Sequence, residues 1–262
     1  MKNVIERAVI GLIMLAFVGV TIFLGQRAMF FAAFALATVG FYELNFVLQQ
    51  WDMRAFRAPT LSFGTAALLA FYFHEGKLVV ATGILLLMAS AVYIVLKSDI
   101  HPKRVIGSVF TFIYIFIPFG MLLDMPHPLY LYLVLIASWG TDTFAYVFGM
   151  LFGKHKLIPS VSPNKSIEGA VGGTVFSVFM AWLLLRHMDA EHIVWATLIM
   201  LAASILSQFG DLFASKMKRA SGRKDYGRIF MGHGGVLDRF DSMIFVIPFL
   251  YAISYWLNLL GW

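Results

Sequence analysis

The stretch from Asp211 to Asp241, DLFASKMKRASGRKDYGRIFMGHGGVLDRFD, gathers charge, glycine and histidine between two apolar segments. Of the chain's 20 Lys and Arg residues, seven lie here (Lys216, Lys218, Arg219, Arg223, Lys224, Arg228 and Arg239), with four of its 14 acids. Both signs at that density beside membrane-like segments suit a site that holds metal cations on carboxylates and phosphates on cations. Asp211 follows Gly210 at the expected end of one apolar helix. Asp238 and Asp241 stand three apart at the expected start of the next, on one helical face. Like charges so placed repel unless a cation lies between them, and Mg2+ takes a few carboxylates together with substrate phosphates and water. The spacing equally permits Asp238 to pair with Arg239 or Lys224 while Asp241 caps the last helix. Between these carboxylates, Gly232-His233-Gly234-Gly235 lets backbone N–H groups approach an anion, and His233 could donate to a phosphate oxygen or move a proton. A plain turn uses the same residues. Lys218, Arg219 and Lys224 flank the Ser221-Gly222 turn, where cations also serve topology or anionic lipid.

A second region, SWGTDTFAYVFGMLFGKHKLIPSVSPNKSIEG, carries Asp142 inside an otherwise apolar helix. An unpaired charge at that depth costs on the order of 3 kcal/mol, so a partner is expected. Downstream, Ser162, Asn164, Lys165 and Ser166 place hydroxyl and amide donors and a cation just before Glu168 and the next helix. Unpaired N–H groups at a helix start favour phosphate; capping by Ser162 or Ser166 is the plainer role. Lys154 and Lys156 read as residues that set membrane topology.

The elements that must position these groups are membrane helices. A chain with 60% hydrophobic and 13% charged residues and a mean hydropathy of +0.82 is too apolar for an ordinary soluble domain. Cysteine is absent, which excludes disulfides and thiolate metal sites. The net charge of +6 reports topology here rather than nucleic-acid binding. A spanning helix needs roughly 20 apolar residues, and nine stretches approach that: 8–25, 28–48, 58–74, 78–96, 105–123, 128–150, 168–186, 191–210 and 241–260. Nine crossings put 17 of the 20 Lys and Arg residues on the N-terminal side, leaving Arg27, Lys77 and Arg186 opposite. By the positive-inside rule, the N-terminus and the charged loops face the cytoplasm and the C-terminus the other side. The first apolar run, with no A-x-A site close behind it, reads as a retained helix rather than a secretory signal. The expectation is an all-α polytopic integral membrane protein. It forms one domain over 1–262, with N-terminal helices to about 125 and a motif-bearing half from about 126.

Read together, the motifs resemble the phosphatidate cytidylyltransferase (CDP-diacylglycerol synthase) family. The resemblance rests on Ser215, Met217, Lys218-Arg219, Lys224-Asp225, Gly227, His233-Gly234-Gly235, Val236, Asp238-Arg239, Phe240 and Asp241, with Gly210-Asp211, and upstream on Asp142, Ser162-Pro163, Lys165 and Glu168-Gly169. It covers about Ser138 to Ser242, with Glu43 the one residue of note among the N-terminal helices. Met231 departs from the family's usual proline, which would stiffen the approach to the glycines. The resemblance implies transfer of a cytidylyl group from CTP to phosphatidic acid, with Mg2+ at Asp211, Asp238 and Asp241. It implies Lys218, Lys224, Asp225 and His233 as catalytic residues. Ser162, Asn164, Lys165, Arg219, Gly234, Gly235 and Arg239 would hold the nucleotide, and Asp142 and Glu168 are further candidates. The partners implied are CTP, phosphatidic acid and membrane lipids, with no nucleic acid and with room for a second cation and a homodimer. The site would face the cytoplasm, at the inner membrane if the source is a bacterium. Other readings are a CTP-dependent enzyme of polyprenol or glycolipid precursors, a cation transporter lined by Asp142, Glu43 and Asp211, and a noncatalytic lipid-binding paralogue.

Overall fold

The computed structural model describes residues 2–97, 101–186, 193–227 and 234–259. Arg228, Met231, Gly232 and His233 lie outside the described residues. Twelve helices follow in order: α1 Lys2–Phe23, α2 Gln26–Leu48, α3 Arg57–Tyr72, α4 Gly76–Leu96, α5 Lys103–Thr111, α6 Ile117–Met121, α7 Pro128–Leu135, α8 Thr141–Phe152, α9 Ile167–Leu185, α10 Ile193–Ala220, α11 Leu237–Phe240 and α12 Met243–Leu259. The helical expectation holds. One addition is a small antiparallel pair, β1 Lys156–Ile158 and β2 Ser162–Ser166, in register Lys156 to Ser166 and Ile158 to Ser162.

Six helical stretches among the described residues are long and apolar enough to cross a membrane: Gln26–Trp51, Gly76–Leu96, Lys103–Met121, Pro128–Phe152, Ile167–Leu185 and Ile193–Ala220. Ile13–Phe23 and Met243–Trp256 are apolar but shorter. At 16 residues, α3 falls short of the roughly 20 that a bilayer core needs. Lipid exposure is legible on α4, which buries Val79, Thr82, Leu86 and Ser90 and presents Val80, Ile84, Leu87, Met88 and Val95 outward. An outward face so uniformly apolar belongs in lipid, and the protein is an integral membrane protein.

The chain divides into two compact units, one of Met1–Asp124 with Asp225–Leu237, the other of Met125–Lys224 with Asp238–Trp262. In the first, small residues admit large ones. Gly64 lies against the Phe116 ring and Gly120 against the Phe71 ring, so the helices approach to backbone distance where a side chain would intervene. A π-helical turn at Phe112–Phe116 joins α5 to α6 just before Pro118, whose missing N–H an α-helical ladder would have required. Ala55 N donates to Asn45 Oδ1 at 2.7 Å and Phe56 N to Ser108 Oγ at 2.9 Å, fixing the turn into α3.

The second unit is held by a glycine seam and a polar ladder. Along α9, Gly169 and Gly173 present their backbone to Ala145, Gly149 and Thr141 of α8, the small-xxx-small pattern of close membrane helices. Thr141 meets Ser204 at 2.7 Å, Ser204 donates to Thr174 at 3.2 Å, and Gln208 donates to Thr174 at 2.7 Å and to the Ala170 carbonyl at 3.2 Å. Buried hydroxyls thus satisfy one another across α8, α9 and α10. A second π-helical turn, Ile136–Gly140, interrupts α7–α8, and Ser177 donates to its Ile136 carbonyl at 2.7 Å.

Two boundaries differ from expectation. The eighth apolar helix does not end at Gly210: α10 runs on to Ala220 and closes where Gly222 adopts φ 73°. There Arg223 N donates to Lys218 O at 2.8 Å and Gly222 N to Arg219 O at 3.0 Å, the paired bonds of a Schellman cap. Asp238 does not open the last long helix either. It lies in the single turn α11, and α12 begins only at Met243.

Candidate functional site

Because α10 continues, Asp211 and Lys218 sit seven residues apart on one face of the same helix. Each is paired with a residue from another segment of the second unit. The Lys165 ammonium, carried on β2, forms an ion pair with Asp211 Oδ2. Lys218 Nζ donates to Asp238 Oδ1 at 2.7 Å and lies 3.7 Å from Asp241 Oδ2. Asp241 Oδ1 also accepts from Ser242 N at 2.9 Å. Lys218 thus pairs with Asp238, and Asp241 is engaged at the turn before α12.

Backbone packing brings these groups together. A Cβ on Gly210 would stand 3.0 Å from the Asp241 carbonyl and 3.1 Å from the Phe245 ring, so glycine lets α10 pass close to the turn that carries Asp241. The indole of Trp139, on the π-helical turn, donates to the Arg239 carbonyl at 2.8 Å, and its ring lies 5.7 Å from that of Phe240. Ser166 caps α9 by accepting from Gly169 N at 3.1 Å, which ends β2 one residue after Lys165.

Among the described residues, Lys165 pairs with Asp211 and feels Asp142 and Asp241, while Lys218 pairs with Asp238 and lies beside Asp241. Burial pushes the Asp241 carboxyl up to about 7; Lys218 opposes this, Asp142 and Asp238 add to it, and Lys165 opposes it. Burial also lowers the Lys165 ammonium, against the raising effect of Asp142 and Asp241 and with Lys218 reinforcing it. Burial is the main cause of the Asp241 shift, with the neighbouring Asp142 and Asp238 carboxylates adding to it. The donors are carboxylate oxygens, the hard ligands suited to Mg2+. Among the described residues no three acidic or histidine side chains are grouped so as to hold a metal ion by themselves. The fit to a hard cation therefore rests on the oxygen chemistry of the donors alone.

Other expected residues stand elsewhere. Arg219 is exposed and donates to the Arg223 carbonyl at 3.3 Å, while Lys224 and Asp225 are exposed. Ser162 is half-buried on β2 and Asn164 exposed. Glu168 accepts from Lys154 N at 3.1 Å and pairs with His155 Nδ1 at 2.6 Å, binding the turn after α8 to the start of α9. Gly234 adopts φ 87°, in the region that favours glycine. Gly235 belongs to the first unit, where it packs on Glu43. Sequence reading missed Trp139 altogether and noted Glu43 among the N-terminal helices and in the transporter alternative without giving it a partner. A lone acid in a largely apolar helix was the available signal for Glu43.

Fold and site define a polytopic helical membrane protein with a carboxylate–lysine cluster in its second unit. The chain belongs to the Cytidylyltransferase family, whose sequence model matches residues 5–257. It is similar to proteins named phosphatidate cytidylyltransferase from Staphylococcus haemolyticus (50% identical), Staphylococcus saprophyticus (48%) and Staphylococcus aureus (50%), each over 122 residues. Those residues are 46% of this chain and 47% of each relative, so the match spans about half the length of the curated relatives.

Proposed function

We propose that the protein transfers a cytidylyl group from CTP to phosphatidic acid, giving CDP-diacylglycerol and pyrophosphate. The observation that carries the reading is the Lys165–Asp211 and Lys218–Asp238–Asp241 cluster, taken with the family and its phosphatidate-directed relatives. An oxygen of the lipid phosphate attacks the α-phosphorus of CTP. A new P–O bond forms as the bond to the β-phosphate oxygen breaks, and pyrophosphate leaves with that electron pair. The attacker is already ionised near neutral pH, so no protein nucleophile or strong base is needed.

Lys165 and Lys218 exchange carboxylate for phosphate oxygens when the nucleotide binds, which frees Asp211, Asp238 and Asp241 to act as ligands. Mg2+, with room for a second cation, supplies charge neutralisation at the transferring and leaving phosphates when bound there. Arg219, Lys224 and Arg239 steer and hold the triphosphate, with Ser162, Asn164, Gly234 and Gly235 as further donors around it. Asp225 and His233 position rather than deprotonate. Asp142 sets the charge felt by Lys165, and Glu168 holds the turn from α8 into β1, the strand paired with the one that presents Lys165.

The positive charge distribution supports nine crossings, a cytoplasmic N-terminus, a C-terminus on the opposite side and a site at the cytoplasmic face. The acyl chains then stay in the bilayer while the headgroup enters. Both units serve one catalytic domain, and a homodimer is compatible with it. The test incubates purified protein with labelled CTP, Mg2+ and either phosphatidic acid or a polyprenol acceptor. CDP-diacylglycerol from the first mixture alone is expected. Product only from the second would move the substrate to polyprenols, and no product from either would overturn the reading.

A further inference from the structure

Glu43 is a buried carboxylate in the C-terminal half of α2, 6% exposed, and is the one acid in a largely apolar helix. A charge at that depth persists only when something fully satisfies it. Here backbone N–H groups are among its partners. Val236 N donates to Glu43 Oε1 at 2.9 Å and Leu237 N to Glu43 Oε2 at 2.8 Å, one N–H to each oxygen. Gly227 and Gly235 complete the fit, since a Cβ on either would overlap the same carboxylate. Three residues back on α2, a Cβ on Gly40 would lie 3.1 Å from the Leu237 side chain, so Leu237 beds in the notch that Gly40 leaves. Val236, Leu237 and Tyr226 are all buried.

The choice of glutamate follows from this geometry. Two neighbouring N–H donors need two acceptors side by side, and charge-assisted bonds to a carboxylate are roughly twice as strong as neutral ones. Glutamine offers one acceptor and sets its own NH2 against the other donor. Glycine at 227 and 235 follows too, because any larger residue takes the volume of the carboxylate. The first unit thus clamps, from an N-terminal helix, the backbone that leads straight into Asp238.

We propose that Glu43 is a positioning residue for the transfer reaction. Its carboxylate fixes the Gly235–Leu237 backbone and so sets the starting point of the turn that carries Asp238. This rests on the transfer reading given above for its functional part, while the clamp itself can be read without substrate.

Glu43→Gln, Glu43→Asp, Gly235→Ala and the pair Glu43→Ala/Gly235→Ala are compared in detergent or nanodiscs by amide hydrogen exchange, and by steady-state turnover as a function of CTP and Mg2+. Glu43→Gln is expected to speed exchange at Val236 and Leu237 about tenfold or more. It should also raise the Mg2+ concentration for half-maximal rate about tenfold or more, as loss of an outer-shell partner does, with kcat reduced and the KM for phosphatidic acid little changed. Glu43→Asp, which keeps both oxygens, should recover part of the loss. Gly235→Ala should reproduce the glutamine phenotype, and the pair should lose less than the sum of its single changes because the overlap is removed. Should Glu43→Gln fail to fold, Gly235→Ala and the pair decide the matter. Unchanged exchange at Val236 and Leu237, or an unchanged Mg2+ requirement with altered exchange, overturns the proposal. Wild-type protein that makes no CDP-diacylglycerol overturns the transfer reading instead, and the exchange data still decide the clamp.

Discussion

Lys218 Nζ donates to Asp238 Oδ1 at 2.7 Å across 20 residues of sequence, joining the end of α10 to the single turn α11. Both side chains are nearly buried, at 10% and 8% exposure, so the pair is shielded from the screening that weakens surface salt bridges. Breaking it from one side leaves an uncompensated charge. Lys218→Ala should destabilise the protein by about 3 kcal/mol, seen as a lower unfolding temperature in detergent, together with loss of CTP binding by calorimetry. Lys218→Arg should retain more stability than activity. An alanine variant that melts and binds like wild type would contradict this assignment.

Asp238→Asn and Asp241→Asn keep side-chain volume while removing a formal charge. Each should lower turnover by about a hundredfold or more, as loss of direct electrostatic stabilisation does, while leaving expression and helical content intact. Near-normal rates in either variant would count against their role as ligands.

The Asp241 carboxyl, pushed up to about 7, gives a pH dependence with a definite sign. Its folded value lies above its unfolded one, so the folded protein binds more protons between about 4 and 7, and stability falls as pH rises through that window. Bound at Asp241 as proposed, Mg2+ would compete with the same proton, so its apparent affinity should rise up to about tenfold per pH unit below 7 and level off above. Unfolding temperatures from pH 5 to 8 with and without Mg2+ measure both effects, and Asp241→Asn should flatten both curves.

The α8–α9 seam should tolerate no added atom at its centre. A Cβ on Gly173 would stand 2.6 Å from the Thr141 carbonyl and 2.8 Å from Ala145, so Gly173→Ala must part the helices. A loss of about 1–3 kcal/mol is expected, read as a lower unfolding temperature, whereas Gly222→Ala should act only through its φ of 73° and cost less.

Much of the scaffold was legible because apolar runs have few alternatives: α2, α4, α9 and the Pro128–Phe152 stretch fall within a few residues of expectation. The extension of α10 was not, because the charged run after Gly210 reads as a loop. The periodicity was there nonetheless, with Asp211, Ala214 and Lys218 at helical spacing on one face. The pairing of Asp211 with Lys165 depends on which segments meet, and local spacing carries no such information. The strand pair around Lys165 was missed because SPNKS has neither length nor alternation to mark a strand. Glu43 could be noticed as a lone acid in an apolar helix, but its partners are backbone N–H groups far along the chain, which no side-chain pattern announces.

A π-helical turn is an α-helix carrying one extra residue, and Ile136–Gly140 is such an insertion directly upstream of Asp142. Everything after it is swung by one residue's worth of rotation, about 100°. Excising a single residue there would return the helix to regular winding and turn Asp142 away from Lys165, with the α8 face that meets the glycines of α9 following. The extra residue works as an angular shim: it sets the azimuth at which half of a membrane helix presents its one acid.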